Sequence, residues 1–339
     1  MMTPPPPQDR QISADELPVL ADILHAEKRL APYLMRTPLV ESLLLNRRLG
    51  FRLLVKAECL QRTGSFKFRG ALNKLLQLDE KQRRRGVVAF SSGNHAQGVA
   101  AAAVLLGIPA TIVMPKDAPA IKCANTRAYG ARVVTYDRWT ENREEIASRI
   151  AQEQGAIVVK PFDDRDIIAG QGTVGLEIVE QAGALGIELD AVVSGVSGGG
   201  LAAGCALALT ARSPGTRIYS AEPEGYDDHA RSLEAKQRVK NNPNAVSICD
   251  ALMSPTPGEL TFAINSKHLT GGLVVSDAEI RAAMRTAFIE LKLAIEPGGA
   301  AALASALSGK LPRSIETVAV IASGGNVDPA FFSEVLTQE

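Results

Sequence analysis

Between Gly86 and Pro161 the chain alternates short apolar runs with helix-forming stretches, and this rhythm restricts the possible folds more than any other feature. Val87–Phe90, residues 110–114, Arg132–Tyr136 and residues 156–159 read as strands, and residues 96–106, 118–128 and 140–154 between them read as helices. Strand-like runs separated by helices of about 10–15 residues make crossover units and therefore a parallel sheet. The rhythm then resumes. A helix over residues 173–181 precedes a strand at 191–193, a helix at 201–211 and a strand at 217–220. Helices at 259–267 and 277–293 follow, the second opened by a Ser276/Glu279 capping box. A last strand at 317–322 runs into Ser323-Gly324-Gly325-Asn326. The expectation is an α/β protein of two lobes, with its site between them at the carboxyl ends of the strands.

The length of 339 residues also argues for two lobes, because single cores stop growing near ~250–300 residues. Formal net charge is zero and 4% of residues are aromatic, so neither nucleic acid nor a membrane is implied as a partner. Cys59, Cys123, Cys205 and Cys249 are too scattered for a zinc site or a disulfide framework, and read as buried free thiols of a reducing cytoplasm. Residues 96–115 and 191–211 are uncharged and near the ~20 residues of a membrane span. Gly107 and Pro109 break the first, and Gly198-Gly199-Gly200 break the second. The N-terminus lacks the basic-then-apolar order of a secretory signal, and Pro4 to Pro7 read as a solvated tail.

Ser194-Gly-Val-Ser197-Gly198-Gly199-Gly200-Leu201 lies between a strand and a helix and fits three templates. As a phosphate cradle, it converges backbone amides on an anion at a helix N-terminus. As a dinucleotide fingerprint, Gly198-x-Gly200-x-x-Ala203 is followed by Glu222 at a plausible distance for a ribose. As a nucleophile elbow, Gly195-x-Ser197-x-Gly199 has His229 and His268 downstream, but no His-Gly-Gly run upstream. The bland alternative is a tight turn where helix packs on strand.

Other motifs carry chemistry of their own. Lys67 stands between Phe66 and Phe68 at the start of a helix, where desolvation lowers an amine's pKa toward Schiff-base formation; a lone lysine is otherwise usually a surface one. Ser91-Ser92-Gly93-Asn94-His95 is a polar strand-to-helix turn that can bind a carboxylate or simply cap the helix. Glu222-Pro-Glu224-Gly-Tyr226-Asp227-Asp228 crowds carboxylates that suit a hard cation or a solvated loop.

Together these motifs resemble the serine/threonine dehydratase and serine racemase family of fold-type-II pyridoxal-phosphate enzymes. The matching residues are Ser65-Phe-Lys67-Phe-Arg69-Gly70-Ala71, Ser91-Ser-Gly-Asn94-His95-Ala-Gln97-Gly98, and Ala169-Gly-Gln171-Gly172-Thr173. Ser197-Gly-Gly-Gly200-Leu201, Glu296-Pro-Gly-Gly-Ala300 and Ser323-Gly-Gly-Asn326-Val327-Asp328 complete the set, in the family's order. The resemblance implies a tryptophan-synthase-β-like fold, with a large cofactor domain of residues 1–85 and 162–339 and a small domain of residues 86–161. It implies that Lys67 carries pyridoxal phosphate and shuttles protons, with Ser197, Gly198, Gly199, Gly200 and Leu201 amides on the phosphate. Asn94 is expected at the 3′-oxygen and Ser323 at the pyridine nitrogen, where a neutral partner makes a weaker electron sink than an Asp.

The same resemblance places the substrate carboxylate at Ser91, Asn94 and His95, and makes Ser92 the acid/base of a racemase on the face opposite the lysine. It assigns Glu222, the Tyr226 carbonyl and Asp228 to a divalent cation, Mg²⁺ or Ca²⁺, and implies a cytoplasmic homodimer. Arg143 sits where racemase-type members carry an arginine and can receive a second carboxylate, as in 3-hydroxyaspartate; an ion pair with Glu144 or Glu145 is the alternative. Asp250-Ala251 departs from the family's Asp-Gly on the substrate side, and the chain stops too soon after Asp328 for a regulatory domain. The expected activity is a β-hydroxyamino-acid ammonia-lyase acting on serine, threonine or 3-hydroxyaspartate. The alternatives are an amino-acid racemase, a nicotinamide-dependent oxidoreductase and an amino-acid-binding sensor.

Overall fold

Each apolar run named above becomes a strand, and the strands sort into two sheets. The computed structural model describes residues 12–337, so the proline-rich tail lies outside the described residues. In chain order the strands are β1 (Leu39–Glu41), β2 (Arg52–Lys56), β3 (Val87–Phe90), β4 (Ala110–Pro115), β5 (Arg132–Tyr136), β6 (Ile157–Val159), β7 (Ala191–Gly195), β8 (Arg217–Pro223), β9 (Gly271–Val275) and β10 (Thr317–Ile321). One sheet has the order β5-β4-β3-β6 and is parallel throughout. The other runs β1-β2-β10-β7-β8-β9 and is parallel except for the β1–β2 pair. Helices cover both faces, which is why β3 and β7 are buried at every position rather than at alternate ones. Three strands escaped the sequence reading because β1 and β2 carry charged residues at their ends and β9 opens on two glycines.

The expected helix at 173–181 is instead a 20-residue helix, Arg165–Ala184. Gly170 and Gly172 look like breakers but, with Gly175, are contact points. A Cβ on Gly170 would lie 2.7 Å from the Gly70 Cα, one on Gly172 2.9 Å from the Gly204 carbonyl, and one on Gly175 3.0 Å from the Cys205 Cα. Their absence lets this helix press its backbone against the Lys67–Leu76 helix and the Gly200–Arg212 helix. The long helix therefore sets the distance between the lysine and the glycine loop.

Two other helices end differently from expectation. The helix expected from residue 140 begins at Arg143, because the Asn142 side chain accepts the Glu144 N–H at 2.9 Å and caps it there. Residues 137–142 are left as a loop with Trp139 84% exposed. The helix expected to run to residue 293 is α-helical over Asp277–Thr286 and closes with a π-helical turn, Ala287–Leu291. No helix among the described residues is long and apolar enough to cross a membrane.

Candidate active site

The carboxyl ends of β3, β4, β6, β7 and β10 converge on a cavity of about 370 Å³. Lys67, Ser91, Ser92, Asn94, His95, Arg143, Ser197, Gly198, Gly199, Gly200, Leu201 and Ser323 all line it. Residues from both ends of the chain meet there because parallel strands deliver their loops to the same edge.

Lys67 is the first residue of its helix, and the turn before it is stitched to the loop after β10. Phe66 N–H donates to the Ser323 carbonyl (3.1 Å), Gly325 N–H to the Gly64 carbonyl (2.8 Å), and Asn326 Nδ2 to the Thr63 carbonyl (2.7 Å). The amine donates to the Pro161 carbonyl (2.8 Å) and sits 5.2 Å from the centre of the Phe66 ring. Phe68 does not flank it; that ring is 1% exposed in the core, turned away by the helical twist. Among the described residues no carboxylate answers the charge, so burial alone pulls the Lys67 pKa down to about 8.

The glycines of the loop each have a reason. Positions 198 and 200 abut Phe162, whose ring packs where a Cβ on Gly198 would stand. Gly199 takes φ +96°, and a Cβ there would lie 2.8 Å from both His229 and Asn265. Ala203 N–H makes the first helical bond, to the Gly199 carbonyl (2.9 Å), leaving the earlier amides of the helix start without an intrahelical acceptor. The elbow reading fails on partners. Ser197 Oγ accepts the Ser254 N–H (3.0 Å), and His268 bonds Thr210 (3.2 Å). The ribose reading fails as well, since Glu222 accepts the N–H groups of His229 (2.9 Å) and Ala230 (2.8 Å).

The Ser91–His95 turn is held from below. Ser91 Oγ accepts the Gly93 N–H (3.1 Å), and His95 Nε2 donates to the Val159 carbonyl (3.0 Å). Burial and the neighbouring Lys67 drop the His95 pKa to about 3, so the ring is neutral, and its Nδ1 has no partner among the described residues. Asn94 donates to Glu296 and accepts from Asn326 Nδ2 (2.8 Å). Glu296 in turn receives Lys122 Nζ at 3.0 Å, which also reaches Asp250 at 2.7 Å. These two carboxylates hold the Lys122 ammonium above its ordinary pKa despite its burial. No sequence signal marked Lys122, and Glu296 was visible only as part of a motif.

Arg143 makes no ion pair with Glu144 or Glu145; its guanidinium lies 5.5 Å from the centre of the Phe90 ring and faces the cavity. Arg138, also at the cavity, pairs with Asp117 at 2.8 Å.

A profile of the pyridoxal-phosphate dependent enzyme family matches residues 30–324. The chain belongs to this family. An L-threo-3-hydroxyaspartate ammonia-lyase of Saccharomyces cerevisiae is 42% identical over 321 residues, 95% of this chain and 97% of the relative. A serine racemase of Arabidopsis thaliana is 42% identical over 316 residues, 91% of this chain and 94% of its own length. Among solved structures, a threonine deaminase from T.th. superposes with a TM-score of 0.86 at 47% identity, covering 92% of this chain and 99% of that one. Maize serine racemase gives 0.88 at 40%, covering 94% and 96%.

The cavity fits the family's cofactor. A partly deprotonated amine, a helix start with free amides and a neutral Ser323 hydroxyl line one space, which suits an aldehyde, a phosphate and a ring nitrogen. In this pyridoxal-phosphate dependent enzyme a second polar cluster stands behind the glycine loop. Glu222, Asp228 and His229, all buried, bring ligand atoms within 4.8 Å of one another. Asp228 Oδ1 takes Asn241 Nδ2 at 2.5 Å while Oδ2 is buried without a partner. Burial and mutual repulsion push Glu222 well above the usual carboxylate range, and burial pushes Asp228 up to about 7. Two buried acids with an unmatched oxygen fit a divalent cation. Glu224 stays exposed, and the Tyr226 hydroxyl donates to the Ala245 carbonyl (2.9 Å), so neither side chain joins them.

The remaining buried charges are structural. Arg69, two residues after the lysine, forms paired bonds to Glu58 (2.7 and 2.7 Å) and Glu177 (2.7 and 2.9 Å), and Glu177 also takes Lys56 (2.5 Å). This network ties the lysine helix to β2 and to the long helix. Cys59, Cys205 and Cys249 are buried and Cys123 half-buried, all as free thiols; burial lifts Cys59 and Cys205 to about 12, which keeps them unreactive.

Proposed function

We propose that this chain is a pyridoxal-phosphate-dependent ammonia-lyase that converts a β-hydroxy-α-amino acid (serine, threonine or 3-hydroxyaspartate) to a 2-keto acid and ammonia. The observation that carries the reading is the half-buried Lys67 amine, which has no carboxylate partner among the described residues and faces a loop of free amides. When bound, the cofactor supplies an electron sink that acidifies the substrate's Cα–H. Lys67 holds the cofactor through its Nζ, then takes the Cα proton and returns one to the departing β-hydroxyl oxygen. Amides of Ser197, Gly198, Gly199, Gly200 and Leu201 hold the phosphate, Asn94 the 3′-oxygen and Ser323 the ring nitrogen. A neutral serine there disfavours long-lived carbanion chemistry and suits expulsion of a β-leaving group. Ser91, Asn94 and His95 take the substrate carboxylate.

Arg143, without a carboxylate partner among the described residues, receives a second substrate carboxylate; relatives named for 3-hydroxyaspartate support this preference. A side activity as a racemase is a second reading, favoured by Ser92 in the same cavity and by relatives named serine racemase. Glu222, the Tyr226 carbonyl and Asp228 hold Mg²⁺ or Ca²⁺. Residues 1–85 with 162–339 form the large domain and residues 86–161 the small one. The enzyme works in the cytoplasm as a homodimer, for which the exposed Leu43, Leu44, Phe288 and Ile289, bridged by the Arg48–Glu290 pair at 2.5 Å, offer an apolar face.

The test is a panel of L- and D-β-hydroxyamino acids with and without Mg²⁺, scoring keto acid, ammonia and enantiomer. Keto acid with ammonia in equal amounts is expected. A colourless protein after cofactor addition, or racemised product without ammonia, overturns the lyase reading.

A further inference from the structure

The cation cluster and the glycine loop share one residue. His229 is fully buried between them, in the second position of the Asp228–Ala235 helix. Its backbone N–H donates to Glu222 (2.9 Å), and a ring nitrogen lies within 4.8 Å of the Glu222 and Asp228 oxygens. Its Nε2 lies 2.8 Å from Asn265 Nδ2, which also donates to the Gly199 carbonyl at 3.3 Å. A Cβ on Gly199 would lie 2.8 Å from the imidazole Cε1, so the ring forms the back wall of the loop at its one left-handed residue. Thr261, one turn before Asn265, completes that wall by donating to the Gly198 carbonyl (2.6 Å).

We propose that His229 is a positioning residue that couples the Glu222–Asp228 cation site to the grip of the glycine loop on the cofactor phosphate. Glu222 does two jobs, holding the first turn of the helix through the His229 and Ala230 amides and supplying charge to the cation. A cation that draws the Glu222 and Asp228 oxygens together fixes that turn, and with it the imidazole and Asn265. The loop amides are then set for phosphate before it arrives. Coupling of this kind is reciprocal, so phosphate must strengthen cation binding by the same factor. The inference rests on the cation reading above.

The test measures the pyridoxal-phosphate dissociation constant of the apoprotein by absorbance, with Mg²⁺ and with chelator, in the parent and in His229→Gln and Asn265→Ala. Cation binding is followed separately by Mn²⁺ spin resonance. In the parent, Mg²⁺ is expected to tighten cofactor binding by roughly 5–150-fold, the usual range for coupled sites. In both variants that factor should fall below about 2-fold while Mn²⁺ still binds, a pattern that a general loss of stability does not give. Asn265→Ala touches no cation ligand and keeps the test open if His229→Gln fails to fold. If Mn²⁺ binds and the coupling persists in the variants, the role of His229 is wrong and the cation site stands. If the parent binds no Mn²⁺, the cation reading falls and this proposal with it.

Discussion

Two lysines line the same cavity and end with opposite chemistry. Lys67 and Lys122 are both withdrawn from water, yet the first is pulled down to about 8 and the second held above its ordinary value. Burial acts the same way on both; the difference is that Asp250 and Glu296 stand 2.7 and 3.0 Å from Lys122, while only a backbone carbonyl meets Lys67. A buried amine therefore becomes a nucleophile or a structural cation according to whether an acid is supplied with it. Pairing alone does not decide the matter. Lys56 has Glu177 at 2.5 Å and is still lowered, because burial outweighs its acidic partners and the nearby Arg69 charge adds to the effect.

The largest effect is expected at the unpaired amine. Lys67→Ala should cost ~10⁴-fold or more in keto-acid formation and remove the visible absorbance of the loaded enzyme. Lys67→Arg should do the same, since a guanidinium keeps its proton. A Lys67 variant that stays coloured would break the comparison outright. Removing the paired amine should instead act on folding. Lys122→Met leaves Glu296 buried without its cation and Asp250 without a partner, which costs about 3 kcal/mol of unfolding free energy. Urea unfolding at neutral pH measures this, and a loss below about 1 kcal/mol would mean that the ion triad contributes little.

How much of this was legible beforehand follows the same division. The glycine loop and Ser323 were readable because each sits where a strand pattern gives way to a helix or a turn, and Lys67 because it stands between two phenylalanines at a helix start within a motif that resembles the family's. The same logic placed both sheets but not β1, β2 or β9, whose charged or glycine-rich ends hide the apolar run. The long helix was started too late, after Gly170 and Gly172, because a glycine that permits close packing looks locally like one that ends a helix. Lys122 left no trace. Its partners are 128 and 174 residues away, and only tertiary structure brings a distant carboxylate to a helix.

Arg143 extends the comparison to a third cation, one with no acid and no proton to lose. Arg143→Met should reduce kcat/KM for 3-hydroxyaspartate by about 10–100-fold, the worth of a charged hydrogen bond, and for serine by no more than about 3-fold. Equal losses on both substrates would show that the arginine supports the loop rather than reads the second carboxylate.

The finest test of the comparison is its pH dependence in the apoprotein, where Lys67 should give a rising curve and Lys122 a flat one. Lys67 has a folded pKa below its unfolded value of 10.5, so between about pH 8 and 10.5 the unfolded chain binds more protons. Stability of the parent relative to Lys67→Met must then rise across that window. Lys122 has a folded pKa above 10.5, so its stabilisation is fully present below that pH and is lost only as pH climbs through the folded value. The difference between the parent and Lys122→Met should accordingly stay flat from pH 7 to about 10. Parallel curves for the two variants would mean that the carboxylates beside Lys122 do not set it apart, and the contrast on which the assignment of the nucleophile depends would be lost.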